Sequence, residues 1–355
     1  MFTDACPSRC VYCDIASQRG RQRLTGPQVE TVARQLIELG FEETMFAGGE
    51  PFLSPHLPAA LRILAGHTRT AVFTGGLPGV TDKVVETCAQ ESIDRVVFSM
   101  DSGDPVINDE IRGREGITAA LVELAEAVRA RSLRVGRSIN TVVSRHNVEV
   151  LDGVWDKMGA YGFNSWSLTV AGDFFEGSPE DSFLSPDQLE RFYLETVPRL
   201  AKRLGGEGAE LIVLPTPQPL LEAGLHPVQW GFAAARHRRA LQKEFEHYAR
   251  GDYNASFVRR YGCPLVGKDI VIGVGGEIHP CSQAPIIHPR YVVGNVKDQT
   301  ISEILEGEKL AAFRADVPHD PCLRCWAPSN IPRETLTSLM AQRTRGRAAT
   351  AVSST

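Results

Sequence analysis

Two hydrophobic patterns take turns along the first two hundred residues of the chain. In one, apolar positions recur every three or four residues; in the other they run almost unbroken over a few residues. The stretch PQVETVARQLIELG (27–40) is of the first kind, with Val29, Val32, Ala33, Leu36 and Ile37 on one helical face. Pro27 suits its first turn and Gly40 its stop. A short apolar strand follows and ends in Gly48-Gly49-Glu50-Pro51. The same reading predicts helices near 55–66, 81–91, 117–132, 148–161 and 185–204, and strands over 69–76, 94–101, 135–143, 165–172 and 209–215. Strands alternating with helices predict an α/β fold with a parallel sheet and crossover helices. Function in such folds gathers at the C-terminal ends of the strands. One irregularity stands at the start. Only Met1 to Thr3 precede a cysteine-rich loop, so the first strand is either stunted or cut short.

The pattern changes after residue 215. Residues 216–262 are polar, mostly helical and basic in part (ARHRRALQKEFEHYAR, 235–250). They read as a solvated helical connector or as a lid over a substrate. DIVIGVGGEIHPC (269–281) predicts a β-hairpin turning at Gly275-Gly276. The tail RTRGRAATAVSST (343–355) has too few apolar residues to pack and is expected to be disordered. The expected divisions are a barrel over 1–215, a connector over 216–262, a small domain over 263–330 and a tail over 331–355.

Composition narrows the classes. The chain has 355 residues, 43% of them hydrophobic, and a formal net charge of −5, which argues against a nucleic-acid partner. No apolar run approaches the ~18–20 residues of a membrane span. MFTDAC has neither the charged nor the apolar part of an export signal, so a cytoplasmic location is expected. Eight cysteines in such a chain point to metal or redox chemistry. Three sit at Cys6, Cys10 and Cys13, four at Cys263, Cys281, Cys322 and Cys325, and Cys88 stands alone.

The spacing Cys6-x3-Cys10-x2-Cys13 admits three readings. Structural zinc wants four ligands, commonly in paired Cys-x2-Cys units. A disulfide framework belongs to small secreted domains. An iron–sulfur cluster wants thiolates, and three of them on a [4Fe–4S] cluster leave one iron open. Spacing alone leaves the cluster and the structural metal both standing.

The surrounding motifs carry a resemblance. The three cysteines with Tyr12 before the last, GGEP (48–51), FTGG (73–76), VVFSMDSGDPVINDEIRGREG (96–116) and INTVVSRHN (139–147) resemble, in that order, the radical S-adenosylmethionine (SAM) enzymes. The resemblance implies a partial (β/α)6 TIM-like barrel. It implies a [4Fe–4S] cluster on Cys6, Cys10 and Cys13, with SAM's amino and carboxylate groups on the open iron. Cleavage of SAM would yield a 5′-deoxyadenosyl radical that abstracts hydrogen, the cofactor supplying the hard chemistry and the protein the orientation. It further implies that Glu50, with the backbone of Gly48 and Gly49, meets the SAM ammonium. Ser99 and Asp101 would touch the ribose or carboxylate, and Arg112 would pair with the carboxylate. Asn140 and Thr74 would face the site, and Tyr12 would pack on its adenine side. Each residue also has a plainer reading: a tight turn, a strand-end cap, a loop ion pair, a backbone-satisfied asparagine or a core aromatic.

The second cysteine set, with CPLVGKDIVIGVGGEIHPC (263–281), VVGNVKDQTISEIL (292–305) and CLRC (322–325), resembles the auxiliary-cluster region called a twitch or SPASM domain. Four cysteines fit the shorter form, with one further, fully ligated [4Fe–4S] cluster; zinc is the alternative occupant. A closed auxiliary cluster implies an electron acceptor and hence a net oxidation. Cys88 is the only remaining thiol, and its place on a helix disfavours cysteine-dependent epimerisation. Asp173, Glu176 and His279 are candidate bases. No peptide-recognition domain precedes the barrel, which favours a small natural-product-type substrate: an amino sugar, aminocyclitol or amino acid. The alternatives are a maturase that crosslinks or epimerises a ribosomally made peptide, and a zinc-stabilised binding protein without catalysis. A flavodoxin or ferredoxin is the implied electron donor.

Overall fold

The computed structural model describes residues 2–13, 15, 23–90, 93–131, 133–172, 182–253, 255–282, 291–319, 322, 325, 331 and 334–339. Six parallel strands form one sheet in sequence order: β1 (Glu43–Phe46), β2 (Arg69–Thr74), β3 (Arg95–Ser99), β4 (Gly136–Val143), β5 (Ser165–Val170) and β6 (Glu210–Leu214). The alternation of side chains divides the sheet into two faces. Val72, Phe98, Ile139, Trp166, Leu168 and Val213 point outward and are buried under the helices. Those helices include α1 (Gly26–Glu38), α2 (Leu57–Leu64), α3 (Thr81–Gln90), α5 (Ile117–Ala130) and α6 (Asp152–Met158). On the inward face Phe73, Ser99, Asn140, Val142, Ser167 and Ile212 are half-buried, while Ala71, Val97, Ser138 and Thr169 are buried.

The residues before the cysteine loop reach the sheet. Thr3 forms an isolated parallel bridge with Gly48. The Phe2 amide donates to Ala47 O at 2.6 Å and the Gly49 amide to Thr3 O at 2.6 Å. The Phe2 ring stands edge-on to Phe46, 5.0 Å away. A few residues thus extend the sheet beside the end of β1 and launch the cysteine loop.

One helix escaped the periodic reading. Residues Pro105–Arg112 form α4, too short to show a repeat, but with its stop and start signals in place. Asp104 caps it, accepting from the Val106 and Ile107 amides; Pro105 sits in its first turn, and Gly113 closes it with φ +60°. The long helix expected at 185–204 is α7 (Pro186–Arg191) and α8 (Val197–Gly206), joined by a π-helical turn over Phe192–Thr196. Pro198 has no amide to give the carbonyl four residues back, which accounts for the break in register.

The connector is packed rather than loose. It holds α9 (Gln218–Ala223), α10 (Trp230–Tyr248) and α11 (Ala255–Tyr261). Trp230, Leu241, Phe245 and Tyr248 on one face of α10 are buried, and the Tyr193 ring stacks on Phe245 at 5.6 Å. Past it, β7 (Val271–Ile272), β8 (Glu277–His279) and β9 (Gly294–Asn295) make an antiparallel sheet, followed by α12 (Ile301–Glu306) and α13 (Glu308–Ala315). The hairpin turns where expected, with Gly276 at φ +91°. This unit docks on α1: the Ile301 amide donates to Gln35 Oε1 at 2.7 Å, and the Leu24 amide to Val274 O at 3.1 Å. Its Ile278, Val293, Ile301, Leu310 and Phe313 belong to the same apolar core as the barrel. Among the described residues no helix is long and apolar enough to cross a membrane. The tail at 343–355 lies outside the described residues.

Candidate active site

The cysteine loop is seated by backbone contacts on two sides. On one side the Glu50 amide donates to Ala5 O at 2.8 Å. A Cβ on Gly49 would stand 2.4 Å from that oxygen, so the second glycine of GGEP is there for the loop to approach. On the other side the Val11 amide donates to Ile111 O at 2.9 Å, and a Cβ on Gly113 would stand 2.1 Å from Arg9 O. Between these walls Cys6, Cys10 and Cys13 are half-buried and in no disulfide. The Cys13 amide closes a turn onto Cys10 O at 3.0 Å. Burial pushes the Cys10 thiol up; Arg112 opposes this, while Asp101 and Cys6 add to it.

Two polar groups sit against the loop. In the first, Tyr12 Oη donates to Asp101 Oδ2 at 2.5 Å and accepts from Arg112 Nη1 at 2.7 Å. Arg112 Nη1 also reaches Asp101 Oδ2 at 3.3 Å. Asp101 Oδ1 takes the Val142 amide at 2.8 Å, so neither oxygen of this carboxylate is idle. The second group centres on Glu50, which is 1% exposed. Its Oε2 accepts from the Gly75 amide at 2.8 Å and from Thr74 Oγ1 at 3.1 Å. Burial nonetheless raises the carboxyl to about 7, against the pull of those donors and of Arg112.

The residues singled out from sequence therefore divide. Tyr12, Asp101 and Arg112 come together as one hydrogen-bonded set and Glu50 and Thr74 as another, while Gly49 seats the loop through Thr3 O. Gly48 has φ +126° and turns the chain at the bridge to Thr3. Ser99 and Asn140 share a register level inside the barrel with Ser167 and Ile212, all half-buried. Two asparagines and an amide went unremarked. Asn108 Oδ1 accepts from the Asp101 and Ser102 amides at 2.8 and 3.1 Å. Asn147 Nδ2 donates to Asp101 O at 2.7 Å and Val142 O at 2.9 Å. The Gly75 amide holds Glu50. Asn108 and Asn147 both fall inside the quoted motifs, and their signal was a buried amide side chain beside a strand end.

The second cysteine set lies around the small sheet. Cys263 and Cys322 are close enough for their charges to interact, and burial raises both thiols, Cys322 to about 11. The Leu265 and Val266 amides pull Cys263 back down. Cys281 follows β8 and Cys325 is buried. A cleft of about 430 Å³ opens beside Cys263, lined also by Pro264, Val266, Lys268, Arg314 and Val317. Cys88 belongs to α3, its thiol pushed to about 12 by burial, an inert group. His279 is buried in β8, opposite Val271 in the second sheet. Asp173 and Glu176 lie outside the described residues.

These residues fit an iron–sulfur cluster and a zwitterionic ligand. Among the described residues, no three His, Cys, Asp or Glu side chains converge on a single-ion centre. The donors offered are soft sulfurs on a loop, which suit a multi-iron cluster. Beside them wait a buried carboxyl raised to about 7, which a polar N–H partner would favour in its ionised form, and the Arg112 Nε, buried with no hydrogen-bond partner.

Residues 1–152 match the Radical SAM superfamily, and residues 263–326 match an iron–sulfur cluster-binding domain, SPASM. The PqqA peptide cyclase of Streptomyces rochei is 33% identical over 155 residues, 42% of this chain and 40% of that protein. The PqqA peptide cyclase of Xanthomonas oryzae pv. oryzae is 31% identical over 160 residues, 43% of this chain and 41% of that protein. The alignments thus span about two-fifths of these curated relatives. Among solved structures, Streptococcus suis SuiB bound to precursor peptide SuiA superposes with a TM-score of 0.64 at 14% identity, covering 92% of this chain and 68% of that one. Native anSMEcpe with bound AdoMet and Cp18Cys peptide gives 0.63 at 16%, covering 92% and 84%. At such identities these two show the fold, a partial radical SAM barrel with a small C-terminal domain. The zinc-stabilised scaffold gives way to iron–sulfur chemistry: the chain carries a radical SAM domain over residues 1–152 and an SPASM iron–sulfur domain over residues 263–326, which imply a SAM-binding [4Fe–4S] cluster and an auxiliary iron–sulfur cluster.

Proposed function

We propose that this radical SAM enzyme closes a ring in a ribosomally made peptide by oxidative bond formation. The observation that carries the reading is the 155-residue match to a peptide cyclase, joined in the same chain to a second cysteine set. No comparison supports the small-molecule reading.

Cys6, Cys10 and Cys13 would hold the SAM-binding cluster, and Cys263, Cys281, Cys322 and Cys325 the auxiliary one. When bound, the first with SAM supplies a radical that removes one hydrogen atom from the substrate, and the second supplies an acceptor for an electron. Ring closure between two carbons removes two hydrogens: one as an atom, the other as a proton and an electron. The chain's own residues set the geometry for this. Glu50, fixed by Thr74 and the Gly75 amide, would face the SAM amino group as a carboxylate whose orientation is already determined. Ser99, Asn140 and Ser167 line the barrel interior with small polar groups and leave room for ligand. The outward half of the barrel is fully packed and keeps water from that face.

The test is reconstituted enzyme with SAM, a reductant and a panel of short peptides, PqqA among them. We expect 5′-deoxyadenosine and a peptide that has lost two hydrogens and resists sequencing by fragmentation across the new ring. An unchanged peptide mass with solvent deuterium incorporated would replace cyclisation by epimerisation. Turnover of an amino sugar, aminocyclitol or free amino acid, with every peptide untouched, would overturn the proposal.

A further inference from the structure

We propose that Tyr12 and Asp101 hold the Arg112 guanidinium beside Cys10 as a fixed positive charge that raises the reduction potential of the loop's cluster. The inference rests on the assignment of Cys6, Cys10 and Cys13 as cluster ligands and is independent of the peptide substrate.

The geometry makes Arg112 part of the loop. Its Nη1 is shared between Tyr12 Oη at 2.7 Å and Asp101 Oδ2 at 3.3 Å, and the same Oδ2 takes the Tyr12 hydroxyl at 2.5 Å. Tyr12 lies between two of the three thiols in sequence, so the residue that braces the arginine is tethered to the ligands themselves. Asp101 is anchored in turn by the Val142 amide at 2.8 Å, and its backbone is held by Asn108 and Asn147. Arg112 ends α4, and the residues on either side of it grip the loop: Ile111 O takes the Val11 amide, and Gly113 packs on Arg9 O. The backbone on both sides of Arg112 is thus fixed to the loop, and the guanidinium is held there by Tyr12 and Asp101.

Its surroundings make the charge count. The Arg112 side chain is 11% exposed and that of Asp101 1%, so solvent screens neither well. Asp101 offsets part of the charge, but at Cys10 the influence of Arg112 exceeds that of Asp101. A cluster becomes more negative when reduced, and net charge and hydrogen bonding around its sulfurs set its potential. A retained cation beside one thiolate therefore favours the reduced form. This assigns Asp101 and Tyr12 to positioning, in place of the direct SAM contacts that the sequence suggested.

The test is a redox titration followed by electron paramagnetic resonance on the reconstituted full chain, read without SAM. A parallel sample with SAM identifies the signal to follow as the one whose shape changes. Iron content and SAM affinity are measured on the same preparations. For Arg112→Gln we expect the reduced fraction at a fixed poise to fall about tenfold, about 59 mV for one electron. Arg112→Lys should recover most of this, and Tyr12→Phe should fall between wild type and Arg112→Gln. Weakened SAM binding by Arg112→Gln with a wild-type potential would overturn the proposal and make the arginine a direct ligand contact. If Arg112→Gln does not load iron, Tyr12→Phe decides: a lowered potential supports the proposal and an unchanged one overturns it. A wild-type protein with no SAM-sensitive signal would instead count against the assignment of the loop.

Discussion

Glu50 gives a pH dependence whose sign and size follow from its burial. The carboxyl stands at about 7 in the folded, ligand-free protein, against its ordinary 4.5. A raised folded-state value favours the protonated form in the fold. Stability of the ligand-free protein is therefore highest below about 4.5 and is lost as pH rises through about 7, by about 3 kcal/mol in total. A donor placed against the carboxylate reverses the preference. An amino group on the open iron must be neutral, so SAM sheds its α-amino proton, held below about 7.7 in free solution, as it binds. Under pH 7 the N–H groups of that amine must in addition meet a carboxylate that has lost its own proton. SAM affinity should therefore fall more steeply below pH 7 than the amine alone dictates, by about a further order of magnitude at pH 6. Glu50→Gln removes this second titrating group. It should make the profile shallower by that amount, weaken binding at pH 7.5, and leave the ligand-free fold more stable than wild type at pH 8. Equilibrium dialysis of SAM against reconstituted protein between pH 6 and 7.5 reads the first effect, and urea melts of ligand-free protein read the second. A wild-type profile no steeper than that of Glu50→Gln would refute the assignment of Glu50 to the SAM amino group.

Three further outcomes follow from the seating of the loop and the second thiol set. Gly113→Ala puts a Cβ against Arg9 O in left-handed backbone and should cost at least ~2 kcal/mol, read by urea unfolding, with iron loading reduced in step. Asn147→Ala leaves the buried carbonyls of Asp101 and Val142 without their donor and should destabilise by ~2–4 kcal/mol in the same assay, while Asn147→Asp, which lacks that donor, should not recover it. Cys322→Ala/Cys325→Ala should lose the auxiliary share of iron and sulfide yet keep reductive SAM cleavage, whereas Cys6→Ala/Cys10→Ala/Cys13→Ala should abolish cleavage.

The parallel sheet was legible because periodicity follows from burial, and burial here is one-sided. Helices such as α1 and α5 show a single apolar stripe, and β3 is an apolar run cut off by polar residues at the barrel mouth, while β5 alternates. What escaped lay where local capping outweighs periodicity. The eight residues of α4 are too few to show a stripe, so only Asp104, Pro105 and Gly113 announce it. The helix expected from 148 starts at 152 because Asn147 turns inward to hold Asp101 and Val142. No periodic reading can see that, since it is a contact between residues 46 apart in the chain.

The site was legible in its residue types and not in its partnerships, and the reason is physical. A motif fixes which groups reach one strand end, but whether a carboxylate there meets ligand or protein depends on what else the fold brings to it. Asp101 illustrates this. At the end of an apolar strand it invites a ligand role, yet both its oxygens are taken, one by the Val142 amide of β4 and one by Tyr12 and Arg112. Glu50 differs because its donors do not offset its burial. Thr74 and the Gly75 amide orient it, and it still lies at about 7, which leaves it short of positive charge. Two carboxylates of equal standing in the sequence thus part company on one criterion. The carboxylate whose charge is already balanced inside the protein braces the loop, and the one whose charge is not is the group left to meet an N–H donor.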